Sequence, residues 1–268
     1  MLVRTELQPG IIAYLSQLLT NSGIPHAFST RHGGVSSAPF ASLNLGISGG
    51  PGVEDSIANV EENYRRLKVA MGCEHRKRCW VHQVHGCDVF HVDRQADFKN
   101  GLKGDAMICT DASQVISVKY ADCVPILLAS DDGQIVAAIH AGWRGVVAEV
   151  IPATLKKMQL AAGLSPGNIV AAIGPCIGFE SFEVGPEVIS EFRKTFGQNV
   201  PIRMNNDNTG KGHIDLQAAV AWQLISLGVR ENQIDSTDQC TVANVRDFYS
   251  HRRDNGITGR MAAMIGVR

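Results

Sequence analysis

Three residues in this sequence pair metal-binding or nucleophilic chemistry with a backbone setting that holds a side chain still. They are His85 in WVHQVHG, Cys123 in KYADCVPILLA and His140 in IVAAIHAGWRG. Each lies at the end of an apolar, strand-like run beside Gly or Pro, an arrangement that presents a functional group from a rigid support at a tight turn. Two imidazoles and a thiolate would give zinc three protein ligands and leave a fourth position open, the count of a catalytic rather than a structural site. Their spacing matches no short zinc signature. The same residues also read as a nucleophilic pair, with Cys123 as thiolate and His140 as its base, or as a core thiol and a hydrogen-bonded core histidine. Spacing alone leaves these readings open. Cys176 in GPCIG is a rival nucleophile, and the Gly174–Gly178 turn could instead direct backbone N–H groups at an anion.

Arginines beside glycines are candidates for gripping phosphate or carboxylate through two parallel hydrogen bonds. Arg31 lies in STRHGGVS, Arg144 in HAGWRG, and Arg252 and Arg253 in YSHRRDNGITGR. Asn44 in SLNLG could recognise a base or ribose, or serve as an ordinary turn residue. Several chemistries are excluded by pattern. There is no H-x-E paired with P-C-x-x-C, no H-E-x-x-H and no G-x-x-x-x-G-K-[ST], which removes cytidine-deaminase-type zinc enzymes, the common metalloproteases and P-loop NTPases.

The elements that position these residues belong to a globular chain. It has 268 residues, 44% of them hydrophobic, and a formal net charge of −1. That balance argues against nucleic-acid binding, and the basic run His75–Arg78 reads as a solvated turn. No stretch reaches the ~20 apolar residues of a membrane span, and the opening MLVRTELQPG lacks the layout of a secretion signal. Seven scattered cysteines read as reduced thiols, and the expected location is the cytoplasm.

Periodicity predicts amphipathic helices over 54–71, 146–162 (with a kink or late start at Pro152), 186–196 and 215–227, the last opening on Asp215 as N-cap. Predicted strands are 26–30, 78–83, 87–92, 105–109, 115–119, 124–129, 134–140, 168–173 and 260–267. Consecutive strands followed by helices indicate an α+β protein with antiparallel or mixed sheets rather than regular βαβ alternation.

The segments STRHGGVS, SLNLG, QVHG, ADCVPILL, AAIHAGWRG, IGPCIG with FEVGPEV, and YSHRRDNGITGRMA stand in the order and spacing of one family. From about residue 24 onward the chain resembles the YfiH-type laccase-domain proteins, labelled variously multicopper polyphenol oxidase, purine nucleoside phosphorylase and peptidoglycan editing factor. The resemblance implies a single domain over 1–268, with two packed mixed β-sheets flanked by helices, similar to the cytotoxic necrotizing factor catalytic domain. It implies that His85, Cys123 and His140 are zinc ligands, with His32 and His82 outside the ligand set. It also implies phosphorolysis of adenosine, inosine, guanosine and methylthioadenosine, with adenosine deamination at the same site. Nucleoside and phosphate are the expected small-molecule partners. Arg31 and Arg144 would neutralise phosphate, Asn44 would contact substrate, and Cys176 and Arg252 are further site candidates.

Two alternatives remain, a copper-binding polyphenol oxidase and a Cys–His hydrolase acting in peptidoglycan precursor editing. The nine histidines include no two separated by one residue, so the H-x-H pairs that supply a laccase's copper cluster are missing. Copper could still bind a His–Cys–His site, because it outcompetes zinc at most such sites.

Overall fold

A computed structural model describes residues 1–95, 97–197 and 201–268. The chain opens with β1 (Leu2–Gln8), β2 (Ile11–Ser16), α1 (Gln17–Asn21) and β3 (His26–Ser29), followed by a small hairpin of β4 (Ser48–Gly50) and β5 (Val53–Glu54), then α2 (Ile57–Ala70). Next come β6 (Lys77–Trp80), β7 (Val89–Val92), β8 (Ala106–Cys109), β9 (Gln114–Tyr120), β10 (Val124–Ser130) and β11 (Val136–Ala141). The rest comprises α3 (Trp143–Val147), α4 (Val150–Ala162), β12 (Ile169–Ile173), β13 (Glu183–Val184), α5 (Pro186–Phe196), β14 (Ile202–Met204), β15 (Gly212–Ile214), α6 (Leu216–Ser226), β16 (Ile234–Asp235) and β17 (Met261–Gly266).

Two six-stranded mixed sheets result, ordered β1-β2-β3-β17-β9-β6 and β16-β12-β10-β11-β8-β7. Pairings are antiparallel except β6 with β9, β7 with β8, and β12 with β16. The α+β expectation of packed mixed sheets holds. The sheets lie face to face because their strands are apolar on both sides. In β10, Leu127 and Ala129 face the layer shared with Phe28, Ile116 and Val118 of the first sheet. Val124, Ile126 and Leu128 point the opposite way, onto α4, α5 and α6. Alternate side chains leave a strand on opposite faces, so one run feeds two cores. The outer face of the first sheet is covered by α2 through Val60, Tyr64 and Leu67. Strands β6 to β11 are consecutive in sequence yet divided between the sheets, β6 and β9 in the first and β7, β8, β10 and β11 in the second. The links from β6 to β7, β8 to β9 and β9 to β10 therefore pass from one sheet to the other. The metal-binding candidates sit on the first and third of these links and on the end of β11.

Helix α2 starts where the Ser56 side chain accepts from the Asn59 N–H, and Gly72 beyond its end takes a left-handed φ of +67°. Asp215 caps α6 by accepting from the Ala218 N–H, as its sequence predicts. The expected 146–162 helix is two helices. The break lies at Ala148–Glu149, with Glu149 at a left-handed φ of 63°, and Pro152 falls in the first turn of α4, where its missing N–H costs nothing. The N-terminal hairpin β1–β2 turns at Pro9–Gly10 with Gly10 at φ +81°. A Pro–Gly step between alternating runs is the local signal for it.

Candidate metal centre

His85, Cys123 and His140 converge. One ligand atom from each lies within 4.8 Å of the others, and this is the one such group of three among the described residues. His140 stands near the C-terminal end of β11, where it pairs with Pro125. Cys123 occupies the corner between β9 and β10, just after Asp122 at a positive φ of 87°. His85 sits in the turn between β6 and β7, itself at φ 60°. A non-glycine residue held left-handed costs of order 1 kcal/mol, and the surroundings must over-determine it.

Asp105 does that. Its fully buried carboxylate accepts from the consecutive N–H groups of Val84, His85 and Gly86 at 3.2, 2.9 and 2.7 Å. The same carboxylate accepts from His140 Nδ1 at 2.8 Å, and its backbone carbonyl accepts from the His140 N–H at 2.8 Å. One residue therefore shapes the His85 turn and fixes the His140 tautomer, leaving Nε2 free for a ligand. Asp105 stands in LKGDAM, one aspartate before an apolar strand, and nothing local distinguishes it.

Gly142, of HAGWRG, fills the other requirement. A Cβ there would lie 2.6 Å from His85 Nδ1 and 3.0 Å from Cys123 Sγ, so the donors can close only over a bare backbone. Asp122 braces the corner from behind. It accepts from Thr241 Oγ1 at 2.6 Å, from Ser250 Oγ and from the Arg252 N–H at 2.7 Å. Gln83 joins the His85 loop to β9 by accepting the Lys119 N–H at 2.8 Å and donating to the Lys119 carbonyl at 2.7 Å. Its side chain thus continues the β9 ladder beyond the last β6 partner, Trp80.

Electrostatics follow from this packing. Burial pushes the Cys123 thiol up, but His140 and His85 outweigh it and hold it at about 6. Burial pulls His140 down, but the Cys123 thiolate and Asp105 outweigh that and raise it to about 9. Burial raises Asp105 as well, and the His140 ring and the loop N–H groups reverse the shift, leaving it below the usual carboxylate range. A thiolate and two imidazoles, one oriented by a carboxylate, are the donor chemistry of a zinc or copper site. These residues fit such an ion.

The three donors open onto a cavity of about 420 Å³, within the range of about 300–1,000 Å³ typical of small-molecule sites. Lys119, Trp143, His251, Arg252 and Arg260 also line it. Of the arginines singled out in the sequence, Arg252 reaches this cavity, while its Nη1 donates to the Glu183 carbonyl at 3.1 Å. Arg144 is exposed and stacks on Trp143 at 4.3 Å, beside the cavity but outside its lining. Arg31 donates to the Ala41 and Val245 carbonyls and lies over the Tyr249 ring at 4.7 Å, outside the lining. Arg253 donates to the carbonyls of Thr241 and Phe248. Asn44 is fully buried; it donates to the Gly46 carbonyl and Asp55 and accepts from the N–H groups of Gly46 and Arg260. Cys176 is a free thiol buried behind the cavity, its backbone paired with that of Cys240 in an isolated parallel β-bridge, and burial pushes its thiol far up, unlike an activated nucleophile. Its neighbour Ile177 lines the cavity. His82 is at the wall, and His32 is bound to Asp247, away from the three donors. Lys119 sits in a strand without glycine context and carries no such signal in the sequence, whereas Arg260 follows Gly259 at the end of the YSHRRDNGITGR segment and shares the signal read there for Arg252 and Arg253 alone.

Residues 25–268 match the family described as multi-copper polyphenol oxidoreductase laccase. The chain is 33% identical over 254 residues to the purine nucleoside phosphorylase YlmD of Geobacillus stearothermophilus, covering 92% of this chain and 91% of that one. It is 37% identical over 243 residues to the purine nucleoside phosphorylase YfiH of Escherichia coli, covering 91% and 93%. Its fold is similar to the crystal structure of YlmD from Geobacillus stearothermophilus, at a TM-score of 0.88 and 31% identity over 100% of both chains. The Bacillus licheniformis hypothetical protein YfiH gives a TM-score of 0.86 at 25% identity over 99% of each.

Proposed function

The chain belongs to the multi-copper polyphenol oxidoreductase laccase family, the YfiH type, and from that premise we propose that it is a zinc-dependent purine nucleoside phosphorylase. The observation that carries the reading is the three-donor set opening on a cavity large enough for a nucleoside. Relatives at 33–37% identity across nearly the whole chain are named for that activity. Inosine, guanosine, adenosine and methylthioadenosine are the proposed substrates, with adenosine deamination at the same site.

Zinc held by His85, Cys123 and His140 would act as a Lewis acid on an oxygen brought to its open position. The protein's own part is placement. Asp105 keeps the Nδ1 proton of His140 in place, and the half-buried Trp143 offers an indole at the wall for stacking against a base. In phosphorolysis an oxygen of HPO₄²⁻ bonds to the anomeric carbon as the glycosidic C–N bond breaks. The bonding pair leaves with the base, and the phosphate's hydrogen ends on the base nitrogen. The transition state is oxocarbenium-like, so fixed charge around the anion and the sugar matters more than a covalent nucleophile.

A second reading rests on one observation: Asp105, His140 and Cys123 stand in the order orienter, base and nucleophile of a cysteine hydrolase. His85 favours the metal. Its ring packs edge-on to His140 at 4.8 Å between centroids, a place with no task in a hydrolase but the third place in a ligand set. A full laccase centre needs further copper ligands, and one group of three donors among the described residues falls short of it. The test is metal analysis of purified protein, followed by incubation with inosine or adenosine with and without phosphate. Release of base and ribose 1-phosphate only with phosphate, lost in Cys123→Ala and His140→Ala, is the expected result, and ammonia from adenosine reports deamination. Base release without phosphate, by protein holding no metal and stopped by thiol alkylation, would overturn it.

A further inference from the structure

Three adjacent strands bring three cations to one face of the first sheet. Lys119 on β9 is opposite Ala262 on β17. Arg260 precedes Ala262 by two residues and so shares its face. Arg78 on β6 is opposite Val115, which shares a face with Ser117 and Lys119, and its Nη1 donates to Ser117 Oγ at 3.4 Å. Arg78 is held by stacking on the Tyr64 ring at 3.7 Å. Among the described residues no carboxylate forms an ion pair with any of the three, and no hydrogen bond is made by Lys119 Nζ. Arg260 uses its Nη1 on the carbonyls of Thr258 and Gly259, both at 2.9 Å, leaving its remaining N–H groups for the cavity.

Clustered cations in a partly buried wall repel one another and lose hydration without compensation. Burial, then Arg78 and Arg260, lower the Lys119 ammonium below its ordinary range. Burial lowers Arg260 too, and only the nearby Asp122 and Cys123 offset it. A fold tolerates such a cluster where a bound anion neutralises it. Lys119 and Arg260 line the same cavity as the three metal-binding donors.

We propose that Lys119 and Arg260, backed by Arg78, bind the inorganic phosphate dianion that enters this cavity, a role that rests on the phosphorylase reading above. Arg31 and Arg253 are held by backbone carbonyls, Arg144 is stacked outside the lining, and Arg252, though in the lining, uses its Nη1 on the Ser181 and Glu183 carbonyls. Lys119 and Arg260 stand in the lining with no carboxylate partner among the described residues. The Gln83 clamp on the Lys119 peptide then has a second purpose. It ties the strand carrying the anion to the loop carrying His85, which fixes the distance between phosphate and the Lewis-acid position.

Two measurements on the metal-loaded protein test this: the Kd for inorganic phosphate alone by calorimetry, and the KM for phosphate with saturating inosine. Lys119→Met is expected to weaken phosphate binding at least tenfold and to raise the phosphate KM in proportion, with the inosine KM changed by less than about threefold. Its Tm should stay level or rise, because an uncompensated charge leaves a partly buried wall, and Lys119→Arg should recover most of the phosphate affinity. Arg260→Gln should weaken phosphate in the same direction. Phosphate Kd values within twofold of wild type in both Lys119→Met and Arg260→Gln would overturn the site while leaving phosphorolysis standing, as would no measurable phosphate binding by wild type. Phosphate binding that is lost in Lys119→Met, in a protein that does not cleave nucleosides with phosphate, would uphold the anion site and sink the phosphorylase reading instead.

Discussion

Asp105 and Asp247 are both buried carboxylates that hold a histidine, yet they serve opposite ends. Asp105 accepts from His140 and from three consecutive loop N–H groups. Asp247 accepts from His32 Nε2 at 3.0 Å, from Arg4 Nε and Nη2 at 2.8 and 3.0 Å, and from the Tyr14 hydroxyl at 3.0 Å. Burial raises Asp247, but Arg4, Tyr14 and His32 outweigh it and hold the carboxyl at about 2. This cluster fastens the N-terminal hairpin to the loop that follows β16. The difference lies beyond the carboxylate. The second nitrogen of His140 meets a thiolate and a cavity, whereas the His32 side chain is 32% exposed and belongs to no group of three metal-binding donors among the described residues. A carboxylate–imidazole pair becomes a reactive centre only where the far nitrogen has something to act on.

That contrast can be broken from either side. The largest effect is expected in Asp105→Asn, because the amide cannot accept from four donors. Metal affinity should fall by about 10–100-fold, the range for losing a ligand's supporting partner, and nucleoside turnover by about as much or more; bound metal and kcat/KM measure both. Unchanged metal content would show that Asp105 is structural in the way Asp247 is.

Asp247→Asn should leave metal affinity within about twofold and cost about 2–4 kcal/mol of stability, since Arg4 and the buried Tyr14 lose their shared acceptor. The cost should depend on pH with a definite sign. A carboxyl whose folded value is depressed stabilises the protein above its unfolded value near 4, and that stability fades as pH falls through about 2. Denaturant midpoints of the two proteins should therefore differ at neutral pH and converge toward pH 2. A difference that grows on acidification would refute the assignment.

The smallest change sharpens the geometry. Gly142 has φ −70° and ψ 167°, values that alanine tolerates, so Gly142→Ala should fold with a Tm close to wild type. Its methyl would displace His85 or Cys123, and metal affinity should drop about tenfold, read by competition with a chromogenic chelator. Retained affinity would mean that the donors close without needing a bare backbone there.

Much of the fold is legible in the sequence because periodicity reports burial directly. The strands over 114–141 and the helices α2, α5 and α6 fall where apolar spacing places them. The 146–162 segment misleads because its apolar pattern runs unbroken through a turn that only Glu149 marks, by a left-handed backbone that no residue type announces. In the site, segments broken by glycine or proline point to His85, Cys123 and His140 but also to Arg31 and Arg253. A glycine reports a tight backbone, and a tight backbone offers carbonyls that satisfy an arginine as well as openings that expose one.

The residue types of the donor candidates and the strand ends that carry them are legible in the sequence alone, since metal-binding chemistry is intrinsic to side chains and strand ends follow local pattern; their grouping into one set is what the family resemblance implies. Tertiary structure decides everything that depends on which chain segments meet. It places Asp105 behind His85, in a link between the sheets, and His140, on the end of β11, brings Gly142 within contact of His85 and Cys123, and sets Lys119 of β9 on the same face as Arg260, just before β17. The physical reason is that β pairing is nonlocal. An alternating strand fixes which residues share a face, but the neighbouring strand, and hence the partner across it, is chosen by the packing of two whole sheets.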